Sequence, residues 1–222
     1  ATESSEESKK LPPYTFDGPC RFFRNDLSYT GQIAKVNDER VYSTWTIIMR
    51  RVSEFFPPEG SQYWDQNYKP VAHKALFEKR LDCTASGRLN STDDLWKRIF
   101  SDRNGQRLKP CLYTYAIDEN TWRFSKTREE GFIHFISKHA VFANGTEPVR
   151  YAGEFHIRPK NGWDQPGDEW ELVIDNGSGT YAPTPDLLEN LKQLLLFNFP
   201  GLNVVIHDFN DPIVKESKKR LI

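Results

Sequence analysis

Residues 45–50 alternate, with Trp45, Ile47 and Met49 on one side of an extended chain and Thr46, Ile48 and Arg50 on the other. A period of two predicts a strand half-buried on one face. From residue 91 the period changes. Ser91 or Thr92 offers a cap, Asp93 and Asp94 favour the positive end of a helix dipole, and Leu95, Trp96, Ile99 and Phe100 form a stripe that Asp102-Arg-Asn-Gly105 stops. Runs at 111–117 and 121–125 flank Asp118-Glu119-Asn120, the pattern of a β-hairpin. A helix is expected over 131–142, where Phe132, Ile133, Phe135, Ile136 and Val141 precede Asn144-Gly145. Strands follow at 149–158 and 170–175. Thr184 is placed to cap a helix with Pro185 at its first position and Leu187, Leu188, Leu191, Leu194 and Leu195 inward, ended by Phe199-Pro200-Gly201. Residues 202–209 read as a strand and 211–220 as a last, basic helix.

The remaining segments carry weaker patterns. Residues 71–81 show a modest helical period, and 55–67, with Pro57-Pro58 and Glu59-Gly60, read as a surface loop. Residues 1–10 are Ser, Glu and Lys beyond Ala1 and a Thr, too polar for burial to offset their ordering, and are expected to form a mobile tail. Strands and helices interleave without strict βαβ alternation. The expected class is therefore α+β: one mixed domain over 11–222, with a mainly antiparallel sheet and several packed helices. It would divide into an aromatic-rich half, 11–126, and a second half, 127–222. No long internal repeat is evident.

Composition narrows the function classes. Thirty Lys and Arg against 31 Asp and Glu give a net charge of −1, without the basic excess that counterion release on nucleic acid demands. No apolar run approaches the roughly 20 residues of a membrane span. Cys20, Cys83 and Cys111 are three and widely spaced, which suits neither a disulfide framework nor a zinc knuckle and points to a reducing, cytoplasmic setting. Asn90-Ser-Thr, Asn144-Gly-Thr and Asn176-Gly-Ser match the glycosylation triplet, which has meaning only after secretion.

Candidate chemistry collects in the second half. In the 149–158 strand Val149, Tyr151, Gly153, Phe155 and Ile157 share one face, and Arg150, Glu154, His156 and Arg158 the other. In 170–175 Trp170, Leu172 and Ile174 take the apolar side. Antiparallel pairing with coincident core faces sets Arg158 opposite Glu171, His156 opposite Val173 and Glu154 opposite Asp175. Two neighbouring carboxylates need a cation, a metal or a shared proton. Protonated His156 or His139, Arg150, a divalent ion or a ligand's positive group could supply it, and paired carboxylates are also what acid/base chemistry uses. If they repel, Glu154→Gln should leave stability unchanged or raise it.

After Asp175 the chain reads Asn176-Gly-Ser-Gly-Thr-Tyr181-Ala-Pro-Thr-Pro185, leaving a strand and entering a helix. Backbone donors near Gly177, Ser178 and Gly179 suit an anion there; the competing reading is a tight turn with positive φ at both glycines and Tyr181 packed. Neither a Walker A loop, nor GxGxxG, nor the GxSxG elbow is matched. His134 and His139, five apart, do not share a helical face as HExxH ligands do.

The stretches KHAVFANGTEPVRYAGEF and WELVIDNGSGTYAPTPDLLENLKQLL resemble a module of plant IQ-motif calmodulin-binding proteins, in which an AGE-like tripeptide precedes an SGHYxP string. Uncharacterised proteins of filamentous fungi are similar over more of the chain, including LWKRIF and PCLYTY. His139, Phe142, Gly145, Ala152, Gly153, Glu154, Ser178, Gly179, Tyr181 and Pro183 carry the resemblance, which departs at Thr180, where the pattern has His. It implies a shared fold and site and no reaction. The chain has no IQ-type segment, so calmodulin binding does not transfer.

These readings converge on a small polar or anionic ligand held by a carboxylate and His sheet face beside a Gly-rich loop. Glu154, His156 and Asp175 are the candidate catalytic groups. His139, Arg158, Gly177, Ser178, Gly179 and Tyr181 are the candidate binding groups, with no metal ligand and no cofactor assigned. The alternative is a non-catalytic protein-interaction module.

Overall fold

The computed structural model describes residues 20–23, 39–42, 44–57, 84–87, 91–100, 110–127, 139, 142, 148–164, 167, 169–179 and 181–221. The expected tail at 1–10 and the helix over 71–81 lie outside them, as does the helix over 131–142 apart from His139 and Phe142, both helical.

The elements run β1 (Cys20–Phe23), β2 (Glu39–Tyr42), β3 (Thr44–Ile48), α1 (Val52–Phe55), β4 (Thr84–Gly87), α2 (Thr92–Ile99), β5 (Tyr113–Asp118), β6 (Thr121–Lys126), β7 (Tyr151–Pro159), β8 (Trp170–Ile174), α3 (Leu188–Asn198), β9 (Val204–Ile206) and α4 (Pro212–Leu221). β1 and β2 pair antiparallel by themselves, and the other seven described strands form one sheet in the order β4-β3-β6-β5-β7-β8-β9. Its four inner pairings are antiparallel, while β3–β4 and β8–β9 at the edges are parallel. The fold is α+β, with a mixed sheet that is mostly antiparallel.

Alternation decides which face is buried. Ile47, Met49, Tyr115, Ile117, Trp122, Phe124, Tyr151, Phe155, Ile157, Leu172 and Ile174 line one face and meet Val52, Phe56, Leu95, Phe100, Leu188, Leu191, Leu194, Leu195 and Phe199 of the helical layer. Phe155 sits amid the rings, stacked on Tyr113 at 5.0 Å and edge-on to Phe124 at 5.0 Å. Helix α2 is capped as its sequence suggests, Ser91 Oγ accepting from the Asp94 amide at 3.2 Å. The helix after residue 184 starts differently. A 3₁₀ turn, Pro185–Leu187, precedes α3, and the Thr184 side chain makes no capping bond.

β8, α3 and β9 form a parallel crossover unit within the otherwise antiparallel layout. The carboxyl end of β8 therefore opens toward the start of the 3₁₀ turn, and that of β9 toward α4. The second face of the sheet carries a small apolar patch, Ala116, Phe142, Val149, Ala152 and Tyr181, next to the polar side chains of β7.

Candidate functional site

β7 and β8 meet in the register that strand parity dictates: Arg158 opposite Glu171, His156 opposite Val173, Phe155 opposite Ile174. One step further, the Asp175 amide donates to the Glu154 carbonyl at 2.9 Å. The Glu154 amide answers to Asp175 Oδ1, at 3.1 Å, rather than to the Asp175 carbonyl. That carbonyl has turned onto the core face, where it accepts from the Tyr115 hydroxyl at 2.6 Å. Gly153 makes the turn possible, because a Cβ there would lie 2.0 Å from the Asp175 carbonyl oxygen.

The Asp175 carboxylate is therefore fixed on the opposite face. Its Oδ1 also accepts from the Gly177 amide at 2.7 Å, and its side chain is 1% exposed. The compensating cation is Lys218 of α4, a residue that the sequence reading left in the basic helix end. Lys218 Nζ lies 3.0 Å from Asp175 Oδ2 and 3.0 Å from Glu154 Oε1. Neither His139, His156 nor Arg150 fills this position. Burial raises the Asp175 carboxyl above its ordinary value, against the pull of Lys218. Burial acts to lower the Lys218 ammonium, but the two carboxylates outweigh it and hold Lys218 above its usual range.

His139 and His156 are neutral neighbours of this cluster. Burial takes the His139 imidazole down to about 4, so its Nε2–H donates to the Gly153 carbonyl at 2.8 Å. His156 falls to about 3 through burial, with Lys218 the first of the nearby positive charges that add to the effect. It is fully buried, and among the described residues neither ring nitrogen has a hydrogen-bond partner. Arg150 is engaged elsewhere, donating to the Phe56 carbonyl at 2.9 Å.

The other expected binding residues divide. Gly177 joins the cluster: a Cβ there would sit 2.9 Å from Asp175 Oδ1, 3.1 Å from Lys218 Nζ and 3.3 Å from Glu154 Oε1. Arg158 faces Glu171 at 3.8 Å. Ser178 is consumed by its own turn, Oγ accepting from the Tyr181 amide at 3.1 Å and its carbonyl from the Ala182 amide at 2.8 Å. Tyr181 packs into the small apolar patch, and Gly179 is exposed with open space around it. The positive φ expected at Gly177 and Gly179 falls instead on Ala182, at 42°. With the Gly177, Tyr181 and Ala182 amides turned inward, the loop loses donors that an anion would need.

Further out, Thr127 Oγ1 reaches Glu154 Oε2 at 3.4 Å, and the Trp163 indole donates to Ser217 Oγ at 3.1 Å, tying the β7–β8 loop to α4. Val214, Ser217 and Lys218, spaced three and four apart, mark the sheet-facing side of α4. That spacing is the signal that could have singled out Lys218. Among the described residues no group of three His, Cys, Asp or Glu side chains is arranged as metal ligands. Among the same residues no helix is long and apolar enough to cross a membrane. Comparison of the chain with protein-family models, curated proteins and solved structures finds no match.

Proposed function

We propose that the protein binds a small polar ligand at the Glu154–Lys218–Asp175 cluster, with His156 beside it. The observation that carries this reading is that Lys218 Nζ, 3.0 Å from both Glu154 Oε1 and Asp175 Oδ2, and the Glu154 carboxylate are 18% and 20% exposed, so that a paired ammonium and carboxylate reach the surface over the buried Asp175. The topology supports the same place, since the carboxyl ends of parallel strands are where crossover folds take up ligands. In this reading Asp175 is the fixed anchor, Glu154, 20% exposed, is the reachable carboxylate, and His156 is a buried, neutral neighbour.

Thermal-shift measurement with a broad panel of small polar molecules tests it, comparing wild type with Glu154→Gln. A compound that raises the wild-type midpoint and leaves the variant unmoved is the expected result. Equal stabilisation of both proteins, or none by any compound, overturns it.

A second reading, as a protein-interaction module, draws on Phe209 and Ile213, 44% and 37% exposed at the entrance to α4. Phe209→Ser separates the two readings, because it removes that surface and leaves the carboxylate cluster in place.

A further inference from the structure

Two adjacent arginines, Arg50 and Arg51, lie between β3 and α1. In an extended chain neighbouring side chains point to opposite sides. Arg51 breaks that alternation with φ 63°, a left-handed conformation that is costly for a residue carrying a Cβ. Both guanidiniums reach one ring: Arg50 Cζ lies 5.0 Å from the centroid of Phe197 in α3, and Arg51 Cζ 4.6 Å. The same helix anchors the backbone. The Arg50 amide donates to Asn198 Oδ1 at 2.8 Å, and Asn198 Nδ2 donates back to the Arg50 carbonyl at 3.1 Å.

Two like charges gathered on one ring repel, and only one of them has a counter-charge. Arg51 pairs with Glu54 in an open contact, the two side chains 48% and 52% exposed. Such a pair contributes little to stability and yields readily to a better acceptor. Arg50 has no carboxylate partner among the described residues, and its buried Nε has no hydrogen bond among them. Arg50, Arg51 and Glu54 therefore sum to one positive charge, at a place that solvent reaches. Guanidinium forks match the oxygens of carboxylates and phosphates. A carboxylate, with one charge and two oxygens, does no more than Glu54 already does. A phosphoryl group brings close to two charges and three oxygens, enough for both arginines. We propose that Arg50 and Arg51 bind a phosphoryl anion, which takes the place of Glu54 on Arg51 and supplies the partner that Arg50 lacks.

NMR titration of the arginine side chains at constant ionic strength tests this, with inorganic phosphate, glycerol 3-phosphate and acetate as probes. Phosphate should shift the Nε signals of Arg50 and Arg51 saturably, and acetate should not. Arg51→Gln should weaken phosphate binding by about tenfold or more, the scale of a hydrogen bond between charged groups. Glu54→Gln should tighten it, because the competing carboxylate is gone while Asn198 still holds Arg50. Arginines that serve packing alone show no such gain. Tighter binding of glycerol 3-phosphate than of phosphate assigns the group to an organic carrier, and equal or weaker binding assigns it to the free ion. Absence of saturable shifts, shifts of the same size with acetate, or a phosphate affinity that either variant leaves unchanged overturns the proposal.

Discussion

Lys218 changes what each acidic residue does for the fold. Asp175 is nearly inaccessible, and its two backbone donors leave a full negative charge that only Lys218, among the groups bonded to it, neutralises. Lys218→Met should therefore cost about 3–5 kcal/mol, the range for stripping the partner from a buried charge. Glu154→Gln leaves the better buried pair intact and should cost about 1 kcal/mol, because Glu154 and Lys218 stay partly hydrated. Urea denaturation of the two variants checks the order; a larger loss in Glu154→Gln would contradict it. The earlier expectation, that removing a repelling carboxylate leaves stability unchanged or raises it, is superseded because the two carboxylates share an ammonium. The Glu154–Asp175 juxtaposition was legible because a period of two fixes which side chains face together. Lys218 was not, since it reaches Glu154 across 64 residues through a tertiary contact that no local pattern encodes.

At the level of elements, strands with sharp turn chemistry were the most readable. The β5–β6 hairpin closes at Glu119 and Asn120, and Arg123 pairs with Asp118 at 3.0 Å across its end. Glu119 adopts φ 50°, a conformation that favours glycine. Glu119→Gly should raise stability by up to about 1 kcal/mol if relief of that strain outweighs the added freedom of the unfolded chain, as read from the thermal midpoint. A lower midpoint would show that the Glu side chain contributes more than its backbone costs. The start of α3 was legible in part, since Thr184 stands at the cap position with Pro185 directly after it. Pro185 fixes a helical φ, yet the chain enters through a 3₁₀ turn, and the Thr184 carbonyl serves instead as acceptor for the Tyr151 hydroxyl at 2.8 Å. The parallel edge pairings β3–β4 and β8–β9 lay beyond reading, because parallel partners are brought together by crossovers and not by turns.

Across the whole molecule the sheet separates two environments, an aromatic core on one face and buried titratable groups on the other. That separation makes stability depend on acid. Between about 6.5 and about 4 the unfolded chain protonates His139 and His156 while the folded chain holds both neutral, so the unfolded state binds more protons and stability falls as pH falls. The raised Asp175 carboxyl works in the opposite direction toward the acid end and offsets part of the loss. Unfolding free energies at pH 7, 6, 5 and 4 should decline, and His156→Gln should flatten the slope; an unchanged slope would contradict the burial of that ring. The most direct measurement concerns Lys218 itself. Its side-chain ammonium, followed by ¹⁵N-resolved NMR, should titrate above 10.5 and return toward that value in Asp175→Asn. An ordinary lysine midpoint, unmoved by the substitution, would mean that the ammonium does not bridge the two carboxylates, and the site built on it would fall.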